Sequence, residues 1–296
     1  MTSPAAFESN WTGKDATIAE IERELARLRA ESAEEGSQPN LRTSVMTHIA
    51  WVPPKWKGVA EETLAGMAAR HPSRTLLLVP RPELKTNGLD AELSLRCFPV
   101  GDRAVCGEVI ELQLRGNRAA AAGSVAEPLL ISDLPVFCRW RGEPAWESPE
   151  FEQLVAIVDR LIVDSTEWDD LPSGYGPLAE LFSRVVVSDI AWERTERWRS
   201  LLASLWPGIK DVRTIRVHGT PAQGHLLAGW LSSRLGHKVG LEIDKHELLE
   251  GVDLDGEPAS FPPGDPPAAS DVLSAQLDRF TRDPAYEAAI IAAAVA

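Results

Sequence analysis

The chain has 296 residues, 44% of them hydrophobic and 25% charged, with a formal net charge of −14. At roughly 100–200 residues per domain this length predicts about two domains, and the apolar content excludes a disordered chain. The negative charge, with no Lys/Arg block to set against it, argues against nucleic acid as a partner, and three cysteines without a CxxC argue against a disulfide scaffold or a structural zinc site.

Residues 1–13 read as loose, with neither the basic nor the apolar region of a secretory signal. Ile18, Ile21, Leu25 and Leu28 recur at spacings of three and four and predict a helix over 15–33. Thr17 and Glu20 have capping-box spacing and Gly36 supplies a stop. The other faces are densely charged, which leaves two readings: a surface helix lying on its own domain, or an arm for a partner or a second copy. A strand follows over 43–52, stopped by Pro53-Pro54, then a helix over 58–70 and a strand over 75–79. Two further strands form a hairpin with Gly101-Asp102 as the loop between Val100 and Arg103. That register sets Ala91, Leu93, Leu95 and Cys97 opposite Leu112, Ile110, Glu108 and Cys106. Glu108 is its discordant member.

A helix is predicted over 118–131 and a strand over 135–140. Beyond Pro149, helices over 151–158, 177–183, 191–205 and 221–235 alternate with strands over 160–163, 185–187, 212–217 and 238–243. Such alternation predicts a largely parallel sheet with helices on its faces. The best local signal is Thr220-Pro221-Ala222-Gln223: an N-cap, Pro at the first helical position, and Gln three residues after the cap. Residues 251–270, rich in Pro and Gly, read as a loop. A helix over 272–280 leads to an Ala-rich tail, whose apolar run 288–296 is about half a membrane span, so no membrane partner is expected. The expected fold is α/β in two regions. The N-terminal part holds a mixed sheet with a hairpin, and the C-terminal part a mainly parallel sheet flanked by helices. An arm over 1–40 precedes an N-terminal domain over 41–150 and a C-terminal domain over 151–296.

Catalytic signatures are scarce. The chain has no GxxxxGK[ST], GxSxG or HExxH, and His218 and His225, seven apart, have no Cys or carboxylate at a familiar metal spacing. Neither a metal nor a cofactor is expected. His218-Gly219-Thr220 lies between a strand and a capped helix, where N–H groups can hold a phosphate or carboxylate. Cys97 and Cys106 face each other in the hairpin, either as a redox-switchable pair or as two reduced thiols packed as small hydrophobes.

The chain has ten Trp against two Tyr, and six of the ten follow predicted strands, at the edge where open α/β sheets bind ligands. Arg139, Arg141, Arg194 and Arg197 share that edge, and Trp and Arg are enriched at interface hot spots. Three uses are open to these Trp residues: covering the sheet ends and filling core, contacting a protein, or lining a small-ligand pocket. The residues singled out for a protein contact are Trp140, Arg141, Trp192, Arg194 and Trp198. His71 and Arg74 lie at the opposite end of their strand, in a loop-bracing role or a polar protein contact.

Several blocks carry a family likeness: HPSRTLLLVP (71–80), ISDLPVF (131–137) with RWRG (139–142), VDRLIVDS (158–165) and SDIAWERTERWR (188–199). In this order they resemble the glucose-6-phosphate dehydrogenase assembly protein family, OpcA, over about residues 41–235, and Asp283-Pro284-Ala285-Tyr286 looks like that family's C-terminal helix region. The resemblance implies an N-terminal and a C-terminal α/β region. It also implies a non-enzymatic cytoplasmic partner of glucose-6-phosphate dehydrogenase that favours the enzyme's oligomer or activates it. In cyanobacterial relatives it links activation to thiol redox state, but none of those cysteines is matched to a position here. Typical members carry additional strand-rich sequence before the last helix, where this chain has the stretch 251–270. The alternative expectation is a sensor binding a sugar phosphate or nucleotide near His218 and Thr220.

Overall fold

A computed structural model describes residues 7–35, 40–41, 44–67, 73–100, 103–262 and 267–295. The chain divides into two compact units, Met1–Leu161 and Ile162–Ala296.

The first unit contains β1 (Phe7–Gly13), α1 (Ile18–Glu35), β2 (Asn40–Leu41), β3 (Thr47–Trp51), α2 (Lys57–Met67), β4 (Arg74–Arg81), β5 (Gly88–Val100), β6 (Arg103–Arg115), α3 (Ala122–Ala126), β7 (Val136–Trp140) and α4 (Pro149–Ala156). The division between units falls within β8 (Arg160–Val163). The strand order is β1-β5-β6-β4-β3-β7, with β2 on β6. The hairpin has the register read from the sequence: Ala91 pairs Leu112, Leu93 pairs Ile110, Leu95 pairs Glu108 and Cys97 pairs Cys106. Its loop residues, 101–102, lie outside the described residues. Alternation carries this register, because a slip of one residue would turn Leu93 and Ile110, both fully buried, to the other face. β6, β4, β3 and β7 run parallel to one another, so their carboxyl ends share one edge.

Three expectations change in this unit. Residues 7–13 are a strand rather than loose chain, because pairing with the edge of the long β5 satisfies their backbone without an apolar pattern of their own. α1 lies on its own unit: Ile21, Leu25 and Leu28 are buried, which removes the arm reading. Its capping box forms as predicted, Thr17 N–H donating to the Glu20 carboxylate and Glu20 N–H to the Thr17 hydroxyl. Residues 116–129 make two 3-10 turns around the short α3 instead of one helix, with Pro128, which lacks an N–H donor, in the second turn.

The second unit continues with α5 (Tyr175–Glu180), β9 (Val186–Asp189), α6 (Ile190–Arg194), α7 (Glu196–Ser204), β10 (Thr214–Gly219), α8 (Pro221–Leu235), β11 (Gly240–Lys245), β12 (Gly251–Leu254), β13 (Glu257–Pro258), α9 (Ala269–Leu277) and α10 (Pro284–Ala294). β10, α8 and β11 form a parallel βαβ unit. α8 has the predicted bounds, with both capping-box bonds at Thr220 and Gln223 and a left-handed Gly236 at its end. The predicted helix over 191–205 is split at Thr195, whose hydroxyl donates to the Trp192 carbonyl and diverts it from the regular helical pattern.

The largest correction lies in 251–270. Its first residues are β12 and β13, antiparallel to each other, with β12 antiparallel to β10. The four-stranded sheet β11-β10-β12-β13 is therefore mixed, not mainly parallel. Asp255-Gly256 makes the turn, both at positive φ (49° and 87°), which is a hairpin signal hidden among prolines. The Ala-rich tail is helical as α10: Asp283 caps it, and Tyr286 and Ile290 are buried. Among the described residues no helix is long and apolar enough to cross a membrane.

Candidate functional site

The shared carboxyl edge of β3, β4 and β7 opens into a cavity of about 500 Å³. Trp51 ends β3 and Trp140 ends β7, directly paired in register, and their rings stack at 4.8 Å with a 13° interplanar angle. Phe151 of α4 meets Trp140 edge-on at 5.0 Å. Pro53, Pro54 and Pro80 extend this apolar floor, while Arg141, Glu143 and Glu150 line the mouth. Arg141 N–H donates to the Trp51 carbonyl, and its guanidinium lies 5.8 Å from the Trp56 ring centre. Among the described residues that line the cavity there is no His, Cys, Ser, Thr, Tyr or Lys. Its carboxylates are Glu83, Glu143 and Glu150, and hydrogen bonding from Arg81 holds the Glu83 carboxyl below its usual range. An aromatic floor with a mixed-charge rim suits docking of an apolar group better than proton transfer.

The other residues singled out from the sequence separate into different surroundings. Trp140, Trp192 and Trp198 are only 3%, 2% and 3% exposed. They fill core and cover sheet ends, which corrects the expectation that they meet a partner directly. Trp192 donates Nε1–H to Asp283 at 2.8 Å, and the Arg199 guanidinium lies 3.5 Å from its ring centre. Trp198 meets Phe261 edge-on. Trp206, not singled out from the sequence as a contact, is 60% exposed. Its place just after the last apolar turn of α7 is the signal that points to it.

Arg194 pairs with Asp164 at 3.0 Å. Asp164 follows β8 and lies beside a buried cluster at the ends of β8 and β9. There Ser165 donates N–H and O–H to Asp189, and Tyr175 donates to Ser165 Oγ at 3.3 Å. Burial, reinforced by the charge of Asp164, pushes the Asp189 carboxyl up to about 7.

Arg74 is buried, which corrects the surface-contact reading in favour of loop bracing. Its Nε donates to Glu108 at 3.0 Å and its Nη1 to the Leu129 carbonyl at 2.7 Å. Arg29 of α1 reaches the same carboxylate through two bonds of 2.6 and 2.7 Å. Glu108, the outlier of the hairpin pattern, is thus the shared partner of two arginines. His71 lies outside the described residues.

His218 ends the βαβ unit's first strand, facing acids. Its Nδ1 is 3.0 Å from Asp244 and its Nε2 3.2 Å from Asp253, and these hydrogen bonds raise its pKa. Gly219 is buried at the strand end, and Thr220 and Gln223 satisfy each other's N–H groups. The expected anion site is therefore corrected: carboxylates ring it, and the capping box takes two of its N–H donors. Cys97 and Cys106 are joined in a disulfide, and Cys138 is buried.

Two family models match the chain in order. The first, described as the N-terminal domain of the glucose-6-phosphate dehydrogenase subunit, covers residues 65–180. The second, described as the C-terminal domain of the same subunit, covers 185–261. Relatives named "Putative OxPP cycle protein OpcA" include one from Nostoc punctiforme, 31% identical over 57% of this chain and 39% of its own length. Others come from Synechocystis (27% identical, 57% and 38%) and Synechococcus elongatus (27% identical, 68% and 50%). The matched stretch thus spans half or less of each relative. No solved structure matches. With both domains of one family found in order, and with the motif blocks at 71–80, 131–142, 158–165 and 188–199 all inside them, the chain belongs to the OpcA family of glucose-6-phosphate dehydrogenase assembly proteins.

Proposed function

We propose that this protein is a non-enzymatic cytoplasmic factor that binds glucose-6-phosphate dehydrogenase and promotes its active oligomer, directing carbon into the oxidative pentose phosphate pathway. The observation that carries the reading is the ordered match to both domains whose descriptions name that enzyme. Activation follows from differential affinity: the factor must bind the active oligomer more tightly than the inactive form, since equal affinity shifts nothing. The contact assigned to it is the Trp/Pro-floored cleft with Arg141 at its mouth. The buried Trp residues act there by holding the edge in shape.

Titration of the protein into the purified enzyme from the same organism, following initial rate and mass together, tests this. The expected result is a faster rate with a heavier complex. A rate or mass change on adding reductant would assign the Cys97–Cys106 disulfide a regulatory role. Arg141→Glu is expected to weaken the complex by about tenfold or more, because the change reverses a charge at the rim of the cleft, and a thermal midpoint close to that of the parent checks that the fold is kept. Unchanged affinity in that variant would move the contact away from this cleft. No complex at micromolar concentration would favour a small-molecule sensor. The cleft's volume lies within the range of ligand pockets, and a thermal shift with sugar phosphates or nucleotides would then be the readout.

A further inference from the structure

Parallel pairing of β10 with β11 brings His218 opposite Asp244, and the chain leaving β11 returns His246 to the same place. His218 Nδ1 and His246 Nε2 both address one atom, Asp244 Oδ2, at 3.0 and 3.2 Å. One donor atom from each of the three residues lies within 4.8 Å of the other two. Bonds of about 2.0–2.1 Å in a tetrahedral zinc site place neighbouring ligand atoms about 3.3 Å apart, so these nitrogen–oxygen distances are close to a tetrahedral edge. The outward nitrogens are also held. Asp253 lies 3.2 Å from His218 Nε2, and Glu250 lies 3.0 Å from His246 Nδ1. A carboxylate on the far nitrogen of each imidazole is the outer arrangement that orients ligating histidines.

The backbone fits the same purpose. Glu250 N–H donates to the His218 carbonyl and His246 N–H to the Gly219 carbonyl, closing the loop around the site. Gly251 leaves room for the ring, since a Cβ there would lie 3.0 Å from His218 Cδ2. Three carboxylates face two imidazoles, and the guanidinium of Arg216 is engaged with Glu242 and stands 3.9 Å from Asp253. The field at this edge therefore attracts a cation.

We infer that His218, Asp244 and His246 form a binding site for one divalent first-row transition cation at the carboxyl edge of the β10–β11 pair. Two nitrogens and one carboxylate select zinc, cobalt or nickel over the oxygen-seeking calcium and magnesium. The site is independent of the proposed enzyme contact, and its test does not involve that enzyme.

The test is calorimetric titration of zinc chloride into the full chain, without a polyhistidine tag and stripped with chelator. One zinc per chain is expected, with a Kd of about 10 µM or below, and no competition from calcium or magnesium. Cobalt is expected to give visible absorption of a nitrogen–oxygen site without a thiolate band. Asp253→Asn is expected to weaken binding roughly 10–100-fold through the outer shell, and His246→Ala by more than that. Neither side chain is part of the buried core, so the metal-free thermal midpoint of each variant should stay close to that of the parent. Absence of saturable zinc uptake at about 100 µM, or parental affinity in His246→Ala, would overturn the site.

Discussion

Glu108→Ala is expected to destabilise the first unit by about 3–5 kcal/mol, the cost of leaving buried charge without its partner. Glu108 accepts from both Arg29 and Arg74, and Arg74 is enclosed. Removing the carboxylate takes the shared partner from the guanidiniums of Arg29 on α1 and Arg74 on β4, and leaves the enclosed Arg74 with the Leu129 carbonyl and the more exposed Glu22 at 3.4 Å. A urea or thermal midpoint measures the loss. Glu8→Ala is the contrast: its pair with Arg96 is 45% and 47% exposed, and exposed pairs are worth about 0–1 kcal/mol. Replacing all three partners with apolar residues (Arg29→Met, Arg74→Met, Glu108→Leu) should recover most of the stability, because the desolvation penalty goes with the charges. The pH dependence has a definite sign. Burial pushes the Glu108 carboxyl upward, but hydrogen bonds and charge from Arg29, with Arg74, outweigh it and hold the pKa below its usual value. Its stabilisation is therefore complete above the unfolded pKa and lost as pH falls through the folded one. The variant should lack that acid-side loss. A midpoint within about 1 kcal/mol of the parent would show that the pair contributes no more than a surface one.

Asp189 is expected to produce the opposite slope. It accepts from Ser165 N–H, Ser165 O–H and Ala191 N–H, but it is fully buried beside Asp164, and its pKa rises to about 7. The folded chain keeps this proton where the unfolded chain has already released it. The associated stability is complete below the unfolded pKa and is lost as pH rises through about 7. A shift of this size corresponds to a change on the order of 4 kcal/mol. Asp189→Asn reproduces the protonated shape: Oδ1 still accepts the two N–H groups, and the amide donates to Ser165 Oγ. The thermal midpoint of the variant should vary less between pH 6 and 8 and exceed that of the parent at the upper end. Parallel pH profiles for parent and variant would mean that Asp189 is ionised throughout. The cluster at 163–165 and 188–189 would then need another account of its tolerance for two neighbouring acids.

Both regions bear on how much of the candidate site is legible in the sequence. Glu108 is visible as the one charge on an apolar stripe, and Arg74 as a charge at the start of a buried strand. Their meeting is not visible, because it requires β4 to lie parallel to β6 in a register that sets position 74 against position 108. The same holds for His218 and His246. His218 is the penultimate residue of β10 and His246 directly follows β11, so parallel pairing brings them together, but 28 positions separate them and no metal spacing connects them. The Trp edge does lie at the ends of the strands, as their order in the sequence implies. Its burial follows from helices and prolines packing over it, which single-chain periodicity does not describe.

What the sequence determined by itself is whatever depends on near neighbours or on strict alternation. The capping boxes at Thr17 and Thr220, the end of α8 at Gly236, and the register of the β5–β6 hairpin all belong here. Each is governed by backbone donors within a few residues or by a two-residue side-chain period, and both are written locally. Tertiary structure alone decided that residues 7–13 are a strand, that 251–254 pair back onto β10, and that three carboxylates gather around two histidines. Those outcomes depend on which backbone edge remains unpaired after the rest of the sheet has formed, and on charges brought together from distant positions. A local pattern carries no record of either.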